Sequence, residues 1–387
     1  MSIRAQIPDI PSSISPAPIL PADPRAAYLA QKNEIDAAVR RVLGSGWYIL
    51  GQEVSAFEQE FAHYIGAESG IGVGNGTDAI EVALRSCGVG VGDDVITVSM
   101  TAVATVCAVV STGARAILAD IVPSTFTVDL NHVEEILRRD VQRRVKAIVP
   151  VHLYGHPADM GGLMQLADRY GLFVVEDCAQ AHGAKYGSRR VGSIGHSGAF
   201  SFYPTKNLGA LGDGGALVTS DPSLAEKARL LRQYGWRQRY ISDVAGMNTR
   251  LDELQAAILR VKLHALDVGN ARRRTIAAQY RQALEGTGVI APFEASGSTH
   301  VYHQYVVRSA RRDELRSLLK ANSIETSVLY PVPVHLQPAY LEAVTLGPGG
   351  LPVTEQACRE ILSLPMYPEL DDSDVLRIAE TLQQLPV

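Results

Sequence analysis

The sequence of 387 residues has few cysteines and no long apolar run. A transmembrane helix needs ~20 consecutive apolar residues, and no stretch of this chain is that long, so no membrane partner is predicted. The N-terminus lacks a charged segment followed by an apolar core, which argues against a signal peptide. The cysteines show no paired spacing, so we expect reduced and mostly buried thiols in a cytoplasmic protein. They are Cys87, Cys107, Cys178 and Cys358.

A strong charge of either sign is also missing. The net charge of -5 and the isoelectric point near 6.1 give no reason to expect a nucleic-acid partner. Arginine clusters at 138–139, 143–144 and 272–274 lie among acids on helical stretches, which is typical of solvated helix faces. Apolar residues make up 46% of the chain and charged residues 20%, as in soluble globular proteins.

Short apolar segments alternate with helical periodicity from Gly74 to Thr219. The strands expected at 147–151 and 172–175 are apolar on both faces, which is typical of strands buried between two layers of helices. After Ser220 the pattern changes to helices around a small strand, expected at Tyr302–Arg308. The predicted fold class is α/β, with a large, mostly parallel sheet domain sandwiched by helices and a smaller α+β C-terminal domain.

We expect three parts along the chain. Residues 1–24 contain six prolines and few large side chains, and are interpreted as a Pro-rich tail. Residues 25–265 form the large domain and residues 266–387 the small one. Their boundary falls inside a long helical stretch, predicted for 251–284 and broken near Gly269.

Lys206 lies between a β-prone aromatic run and a glycine cluster, in the segment from Gly198 to Gly215. Another apolar run ends upstream in Asp177. An amine that forms a Schiff base and a carboxylate that pairs with a pyridinium nitrogen are the groups that pyridoxal 5'-phosphate (PLP) chemistry requires. Lys206 would also act as general base and acid, moving a proton between the substrate carbon and the cofactor. No metal site is predicted.

A phosphate site is predicted where Gly76 and Thr77 open a helix. Free backbone N–H groups and the positive end of the helix dipole favour a phosphate dianion at such a position. Ser201, five residues before the lysine, is a second hydroxyl candidate for the phosphate. Gln180 could reach the face of the cofactor ring or its hydroxyl.

Each of these segments alone has an ordinary explanation. A lone lysine is usually solvated surface, an aspartate after a strand often caps a turn, and a glycine followed by threonine is a common helix start. Each of the three follows a predicted strand, however, and ligands bind at the ends of strands in an open α/β sheet. Their joint occurrence therefore predicts a PLP enzyme.

Several long, ordered motifs resemble one known family. They are Gly74-Asn-Gly-Thr-Asp-Ala, Val175-Glu-Asp-Cys-Ala-Gln-Ala-His-Gly-Ala, Ser201-Phe-Tyr-Pro-Thr-Lys-Asn-Leu-Gly, Gly212-Asp-Gly-Gly and Gly246-Met-Asn-Thr-Arg-Leu-Asp-Glu-Leu-Gln-Ala-Ala. From about Leu29 to its C-terminus the chain resembles the DegT/StrS-type PLP-dependent nucleotide-sugar aminotransferases. The resemblance implies fold-type I PLP architecture and a homodimer with shared active sites.

The resemblance also implies a role for individual residues. Lys206 matches the Schiff-base lysine and Asp177 the partner of the pyridinium nitrogen. Asn248 matches an asparagine that the neighbouring subunit supplies to the phosphate, and Arg250 matches a basic residue near the substrate. Further cofactor contacts match Gly76, Thr77, Gln180 and Ser201.

The segment Thr101-Ala102-Val-Ala-Thr105 departs from the family pattern. Many relatives carry an aromatic residue that stacks on PLP at the position of Ala102. Because alanine cannot stack, the outer face of the ring must be covered by Gln180, Met100, Thr101 or the substrate. Thr101 and Ala102 themselves are predicted to contact the cofactor.

The segments 101–105, 209–212 and 234–240 look most like those of enzymes that aminate TDP-3-keto-6-deoxyhexoses with L-glutamate as amino donor. Tyr203, Tyr330 and His335 are candidate substrate contacts, for which packing or a turn is an equal alternative. C4-aminotransferases and UDP-3-keto sugar aminotransferases share the core motifs and stay open as alternatives. A related sugar dehydratase would carry histidine in place of Lys206, and a non-catalytic PLP-binding regulator finds no support in a DNA-binding segment.

Overall fold

The structure is a computed structural model that describes residues 18–384, so residues 1–17 of the predicted Pro-rich tail lie outside it. None of the helices in this range has the length and apolar character needed to cross a membrane. The helices are α1 Pro24–Ala30, α2 Lys32–Ser45, α3 Gln52–Ile65, α4 Gly76–Ser86, α5 Val103–Ser111, α6 Leu130–Arg139, α7 Met160–Tyr170, α8 Pro222–Leu231, α9 Glu253–Leu263, α10 Leu266–Ala283, α11 Arg312–Ala321, α12 Pro352–Glu360 and α13 Asp372–Gln383.

The strands belong to one large sheet and three small ones. They are β1 Ser69–Val73, β2 Asp94–Val98, β3 Arg115–Ala119, β4 Val145–Ile148, β5 Phe173–Asp177, β6 Lys185–Tyr186, β7 Arg189–Arg190, β8 Ser197–Ser201, β9 Gly215–Thr219, β10 Trp236–Gln238, β11 Ile241–Ser242, β12 Ser298–Thr299, β13 Tyr305–Arg308, β14 Val344–Leu346 and β15 Ile361–Leu364.

The large sheet has the strand order β1-β9-β8-β5-β4-β2-β3-β14. Strand β9 pairs antiparallel with both of its neighbours, whereas the pairs from β8 to β14 are all parallel. Parallel strands must be joined by crossovers, and helices such as α5 and α7 provide them. The prediction of a mostly parallel sheet is confirmed.

Helices cover both faces of this sheet. In β2, Ile96 and Val98 pack in one cluster with residues of α6 and α7, while Val95 packs on the opposite face with residues of α4 and α5. Successive side chains of a strand point to opposite faces, so this division buries every position of β2. The predicted sandwich of helices around a buried sheet is also confirmed.

The C-terminal region builds a second, smaller core. Strands β13 and β15 pair antiparallel, and their apolar residues pack with those of α10, α11 and α13. Ile19 joins the same cluster, because its N–H donates to Ser323 O and its carbonyl accepts from Glu325 N, both at 2.9 Å. The division of the chain at residues 265 and 266 itself stays a prediction.

Two predicted element bounds are wrong, and one strand was missed. The long helical stretch breaks at His264–Ala265, where Ala265 N turns tightly back to Lys262 O, and Gly269 lies inside α10. The small strand starts at Tyr305, since Tyr302 has a left-handed φ of 44° that interrupts extended backbone. Strand β14 was not predicted, and it returns the C-terminal part of the chain to the edge of the large sheet beside β3.

Candidate active site

Lys206 lies in the loop that follows β8. Its backbone N–H donates to Tyr203 O at 2.8 Å, and Ala210 N donates to Phe202 O at 2.8 Å, so the loop is a closed, hydrogen-bonded turn. Gly209 is required in this turn, because a Cβ there would lie 2.4 Å from the carbonyl oxygen of Pro204. The backbone therefore fixes the position of Lys206 at a strand end of the large sheet.

The Lys206 amine is easily deprotonated. Burial lowers its pKa from 10.5 to about 8, although the nearby carboxylate of Asp177 acts in the opposite direction. A lysine with a lowered pKa holds more of its amine in the neutral, nucleophilic form near neutral pH. This is the form needed to attack an aldehyde.

Asp177 ends β5, the strand that pairs with β8, and its side chain is buried. Its Oδ2 accepts the hydroxyl hydrogen of Thr105 at 2.8 Å, and its Oδ1 accepts from Ala179 N at 3.1 Å. Burial raises the pKa of Asp177, while these two hydrogen bonds and the charge of Lys206 lower it. The structure thus brings the two predicted catalytic residues together on neighbouring strands.

Thr105 was not among the predicted site residues. Its Oγ1 lies 2.8 Å from that of Thr101, and both hydroxyls are buried. A carboxylate can only accept, so the hydrogen of Thr105 goes to Asp177 and Thr101 must donate to Thr105. The sequence did offer a signal for Thr105. Thr101 and Thr105 are four residues apart across the start of α5, and a helix places residues i and i+4 on one face.

Gly76 and Ser201 pack against each other at the predicted phosphate site. A Cβ on Gly76 would lie 2.6 Å from Cβ of Ser201, so only glycine fits there. Asn75 caps α4 by accepting from Asp78 N at 2.9 Å, and its carbonyl accepts from Ala79 N. Among the described residues no hydrogen bond uses the backbone N–H of Gly76 or Thr77, two of the first amides of the helix.

Gln180 is held rigidly beside Asp177. Its Oε1 accepts from Tyr154 N at 2.7 Å, and its Nε2 donates to the hydroxyl of Tyr330 at 3.1 Å. Burial and the charge of Asp177 raise the pKa of Tyr330 to about 12. The structure therefore brings Tyr330, from the C-terminal part of the chain, to the same site as Gln180 and Asp177.

The remaining predicted residues lie in different surroundings. Ala102 is half-buried and precedes α5, and Tyr203 is 54% exposed. The ring of His335 is buried, with its Nδ1 2.7 Å from Ser99 Oγ. Arg250 lies over the ring of Tyr234 at 5.8 Å, and Asn248 is exposed to solvent.

A buried group of side chains behind the lysine loop was also missed. The ring Nδ1 of His303 lies 3.2 Å from Asn207 Oδ1, Asn207 Nδ2 donates to Asn270 Oδ1 at 2.8 Å, and Asn270 Nδ2 donates to His182 O at 2.8 Å. Burial and the charge of Lys206 lower the pKa of His182 to about 3. A neutral His182 adds no positive charge beside the lysine.

His152 and Glu176, in contrast, serve the local fold. His152 Nε2 lies 3.0 Å from Glu176 Oε2, and Glu176 also accepts from the backbone amides of Gly192, Ile194 and Gly195. Burial by itself would raise the pKa of Glu176. The hydrogen bonds from His152 and from the backbone outweigh burial, so the pKa is lowered overall. With both oxygens occupied, this carboxylate anchors the 192–195 loop beneath the site.

These residues fit PLP. The buried carboxylate of Asp177 suits a protonated ring nitrogen, the free amides and hydroxyls around Gly76 suit a phosphate, and the Lys206 amine suits the aldehyde. Fold and site define the chain as a PLP-dependent aminotransferase of fold type I. It belongs to the DegT/DnrJ/EryC1/StrS aminotransferase family, whose sequence model matches residues 30–383.

Individual relatives agree with this assignment. The chain is 47% identical over 385 residues to a dTDP-3-amino-3,4,6-trideoxy-alpha-D-glucose transaminase of Streptomyces venezuelae, covering 99% of this chain and 98% of the relative. It is 48% identical to a Saccharopolyspora erythraea protein named "Erythromycin biosynthesis sensory transduction protein EryC1", covering 93% of this chain and 98% of that one.

A solved structure is similar over almost the whole chain. The crystal structure of S. venezuelae DesV in complex with a ketimine intermediate has a TM-score of 0.91 and 48% identity, covering 95% of this chain and 98% of that one. The family, fold class and cofactor predicted from the sequence are thereby confirmed.

Proposed function

We propose that this protein transfers the amino group of L-glutamate to the keto carbon of a TDP-3-keto-6-deoxyhexose, giving a TDP-3-amino-3,6-dideoxyhexose. The observation that carries the proposal is the position of Lys206 in the loop after β8, next to the strand that ends in buried Asp177, whose charge acts on the lysine. An amine at this position supports transamination, whereas a dehydratase of this fold would have histidine there. The similarity to a dTDP-3-amino sugar transaminase supports the choice of carbon and nucleotide.

Each residue at the centre has a defined task. PLP, when bound, supplies an electron sink for the pair of electrons left as a proton departs from the substrate carbon. Lys206 Nζ would take that proton and return it to the cofactor, and its lowered pKa keeps the neutral base available near pH 8. Asp177 would hold the ring nitrogen protonated, and the hydrogen bond from Thr105 favours the ionised form of its carboxylate.

The phosphate would bind at the start of α4. The amides of Gly76 and Thr77 point toward this end of the helix, and the hydroxyls of Thr77 and Ser201 add donors. Gln180, which is oriented by Tyr154 N and the Tyr330 hydroxyl, would contact the cofactor ring. Thr101 and Ala102 complete the proposed cofactor contacts.

Four residues are proposed to contact the sugar nucleotide. Tyr203 and Arg250 offer an exposed phenol and a guanidinium for the diphosphate or sugar hydroxyls, and Tyr330 lies next to Gln180. His335 is the fourth, and it would reach substrate only through Nε2, since Ser99 holds its Nδ1.

We also propose a homodimer with shared active sites. An apolar surface patch, defined here as Leu43, Trp47, Tyr48, Ile49 and Leu211, surrounds the start of α9, and Trp47 is 64% exposed. Tyr48 O accepts from Glu253 N, and Leu211 N donates to Gln255 Oε1, so both parts of the patch are fixed to one helix. Exposed apolar surface of this kind is typical of a subunit interface.

The exposed Asn248 lies shortly before the start of α9, the helix start that this patch surrounds. The neighbouring residue Thr249 accepts from Gly74 N at 2.8 Å and donates to Asp78 Oδ2 at 2.5 Å, so the segment is held beside the phosphate loop of its own chain. A two-fold axis nearby would bring Asn248 to the partner's phosphate site. We place the working enzyme in the cytoplasm, where its four free cysteines would stay reduced.

The test is a panel of TDP- and UDP-linked keto sugars incubated with the enzyme and L-glutamate. Mass spectrometry should show that a TDP-3-keto-6-deoxyhexose, with or without a hydroxyl at C4, is aminated in preference to every other substrate of the panel. A preference for a 4-keto sugar or for a UDP-3-keto sugar would replace the proposal by one of its alternatives.

A non-catalytic regulatory role is the alternative of another class, and the printed name of the S. erythraea relative describes such a role for that protein. The visible spectrum of the purified protein distinguishes the two. Bleaching of the PLP absorbance by L-glutamate supports transamination. Colour that L-glutamate leaves unchanged would favour the regulator.

A further inference from the structure

A cavity of about 240 Å³ lies behind the lysine loop. Its walls come from the N-terminal segment and α1, from the junction of α9 and α10, from residues 204–207 and from residues 367–369. Asp177, Gly76, Thr77 and Ser201 do not line it. It shares with the site described above the lysine loop and Asn270 from the buried group behind that loop.

Two buried cations line this cavity. Lys262 is 7% exposed and Arg273 is 4% exposed. Lys262 Nζ donates to Gly209 O, while Arg273 Nη1 donates to Met366 O at 2.7 Å and to Tyr302 O at 3.1 Å. Carbonyl oxygens are thus the acceptors of both cations, and they satisfy donors without neutralising charge.

Among residues 18–384 no carboxylate lies within ion-pair distance of Lys262 or Arg273. Glu369 also lines the cavity, and its charge favours the charged form of Lys262 and of Arg273. Burial outweighs this effect and lowers the pKa of Lys262 to about 8 and that of Arg273 to about 10. Two buried cations facing one half-buried acid leave an excess positive charge.

The second acid on the wall, Asp23, is not among the charges that act on Lys262 or Arg273, for both of which Glu369 is the acid that favours the charged form. Asp23 Oδ1 accepts from the backbone amides of Arg25 and Ala26 and so caps α1. Removing two cations from water is costly unless an anion compensates them. Because the chain itself supplies too little negative charge at this point, an anion from solution would stabilise the arrangement.

We infer that this cavity binds a small oxyanion, a phosphate or carboxylate group, between Lys262 and Arg273. The guanidinium has donors left for such a ligand, since the hydrogen bonds it makes to described residues all come from Nη1. The volume is below the ~300 Å³ at which pockets accept drug-sized molecules, which limits the ligand to an inorganic ion or a small metabolite.

The site would be coupled to the lysine loop through one carbonyl. Lys262 holds Gly209 O, three residues after Lys206, and Asn207 lies on the cavity wall. An anion that fixes the Lys262 ammonium in its charged form strengthens the hydrogen bond to Gly209. Occupancy should therefore stabilise the loop that carries the catalytic lysine.

The test uses holoenzyme reduced with borohydride, so that the phosphate cradle of PLP is already filled. Calorimetric titration at pH 7 with sodium phosphate and with sodium 2-oxoglutarate, each at an ionic strength matched by sodium chloride, distinguishes the two sources of the oxyanion. Saturable binding of phosphate supports the inference, whereas binding of 2-oxoglutarate, the keto acid that L-glutamate leaves at the active site, counts only where phosphate displaces it. In Lys262→Met the dissociation constant should rise at least about tenfold, as expected for loss of a charge-assisted hydrogen bond.

Two variants provide the controls. Glu369→Gln removes the competing carboxylate and should tighten binding, whereas Lys320→Met, at an exposed position of α11, should leave it unchanged. If Lys262→Met does not fold, bromide-soaked crystals of the wild type should show an anomalous peak in the cavity. Equal phosphate binding in wild type and Lys262→Met, or an empty cavity in bromide, would overturn the inference.

Discussion

Thr105 donates its hydroxyl hydrogen to Asp177 across 2.8 Å, and the hydroxyl oxygen of Thr101 lies 2.8 Å from that of Thr105. Burial raises the pKa of Asp177, and this hydrogen bond is the largest of the effects that oppose the rise. The hydroxyl therefore favours the ionised form of Asp177, the form that pairs with a pyridinium nitrogen. Four predictions concern this centre and one concerns assembly.

Thr105→Val should lower the rate of transamination by about one to two powers of ten, because a hydrogen bond to a charged group contributes ~1.5 to 3 kcal/mol. Thr105→Ser, which retains the donor, should remain within a few-fold of wild type. Steady-state rates and the pH dependence of the PLP absorbance check this. A loss in the serine variant with little loss in the valine variant would show that the methyl group, not the hydroxyl, matters.

Lys206→Ala should abolish transamination and the covalent attachment of PLP, because among residues 18–384 Lys206 is the one lysine whose charge acts on Asp177. Borohydride reduction of the wild type, followed by peptide mapping, should label the peptide that contains Lys206. Turnover of the variant above background would contradict the assignment.

Asp177→Ala should fold and still bind PLP weakly. The loss of a buried charge partner costs ~3 to 5 kcal/mol, which corresponds to roughly two to four powers of ten in rate. Circular dichroism tests the fold and single-turnover kinetics test the rate. A tenfold loss or less would mean that the ring nitrogen obtains its proton from another group.

The apoprotein should react with PLP faster as the pH rises through about 8, where Lys206 loses its proton. Since the pKa in the unfolded chain is near 10.5, the folded state binds fewer protons between these values, and the contribution of Lys206 to stability rises with pH across that window. Stopped-flow absorbance against pH measures the midpoint. A midpoint near 10.5 would show an unperturbed lysine.

Mixing Lys206→Ala with Asn248→Asp subunits tests the shared site. The second variant should be inactive, because its new carboxylate would face the phosphate as a like charge. Random exchange makes half of the dimers mixed, each with one intact site of two, so activity should recover to about a quarter of wild type. A mixture that stays inactive after proven exchange would rule out the shared-site arrangement.

The positions of the two residues proposed to act on the cofactor were predictable from the sequence. Lys206 and Asp177 each follow an apolar strand, and the ends of such strands meet at one edge of a parallel sheet. The helix start at Gly76 was visible for the same reason, since its glycine, its cap and the strand before it are neighbours along the chain.

Contacts between distant segments were not predictable in this way. Tyr330 meets Gln180, and Glu369 faces Lys262 and Arg273, only because the C-terminal part of the chain folds back on the large domain. Neither pattern nor propensity encodes such pairings, which depend on how helices and sheets pack.

The sequence by itself determined the family, the fold class, the cofactor and the two central residues, because local motifs and strand ends carry that information. The tertiary structure alone decided how strongly each group is charged. Burial lowers the pKa of Lys206 and raises that of Asp177, and Thr105 is the donor that restrains the second shift. Desolvation depends on every neighbouring element at once, so it is a property of the packed chain and not of any segment.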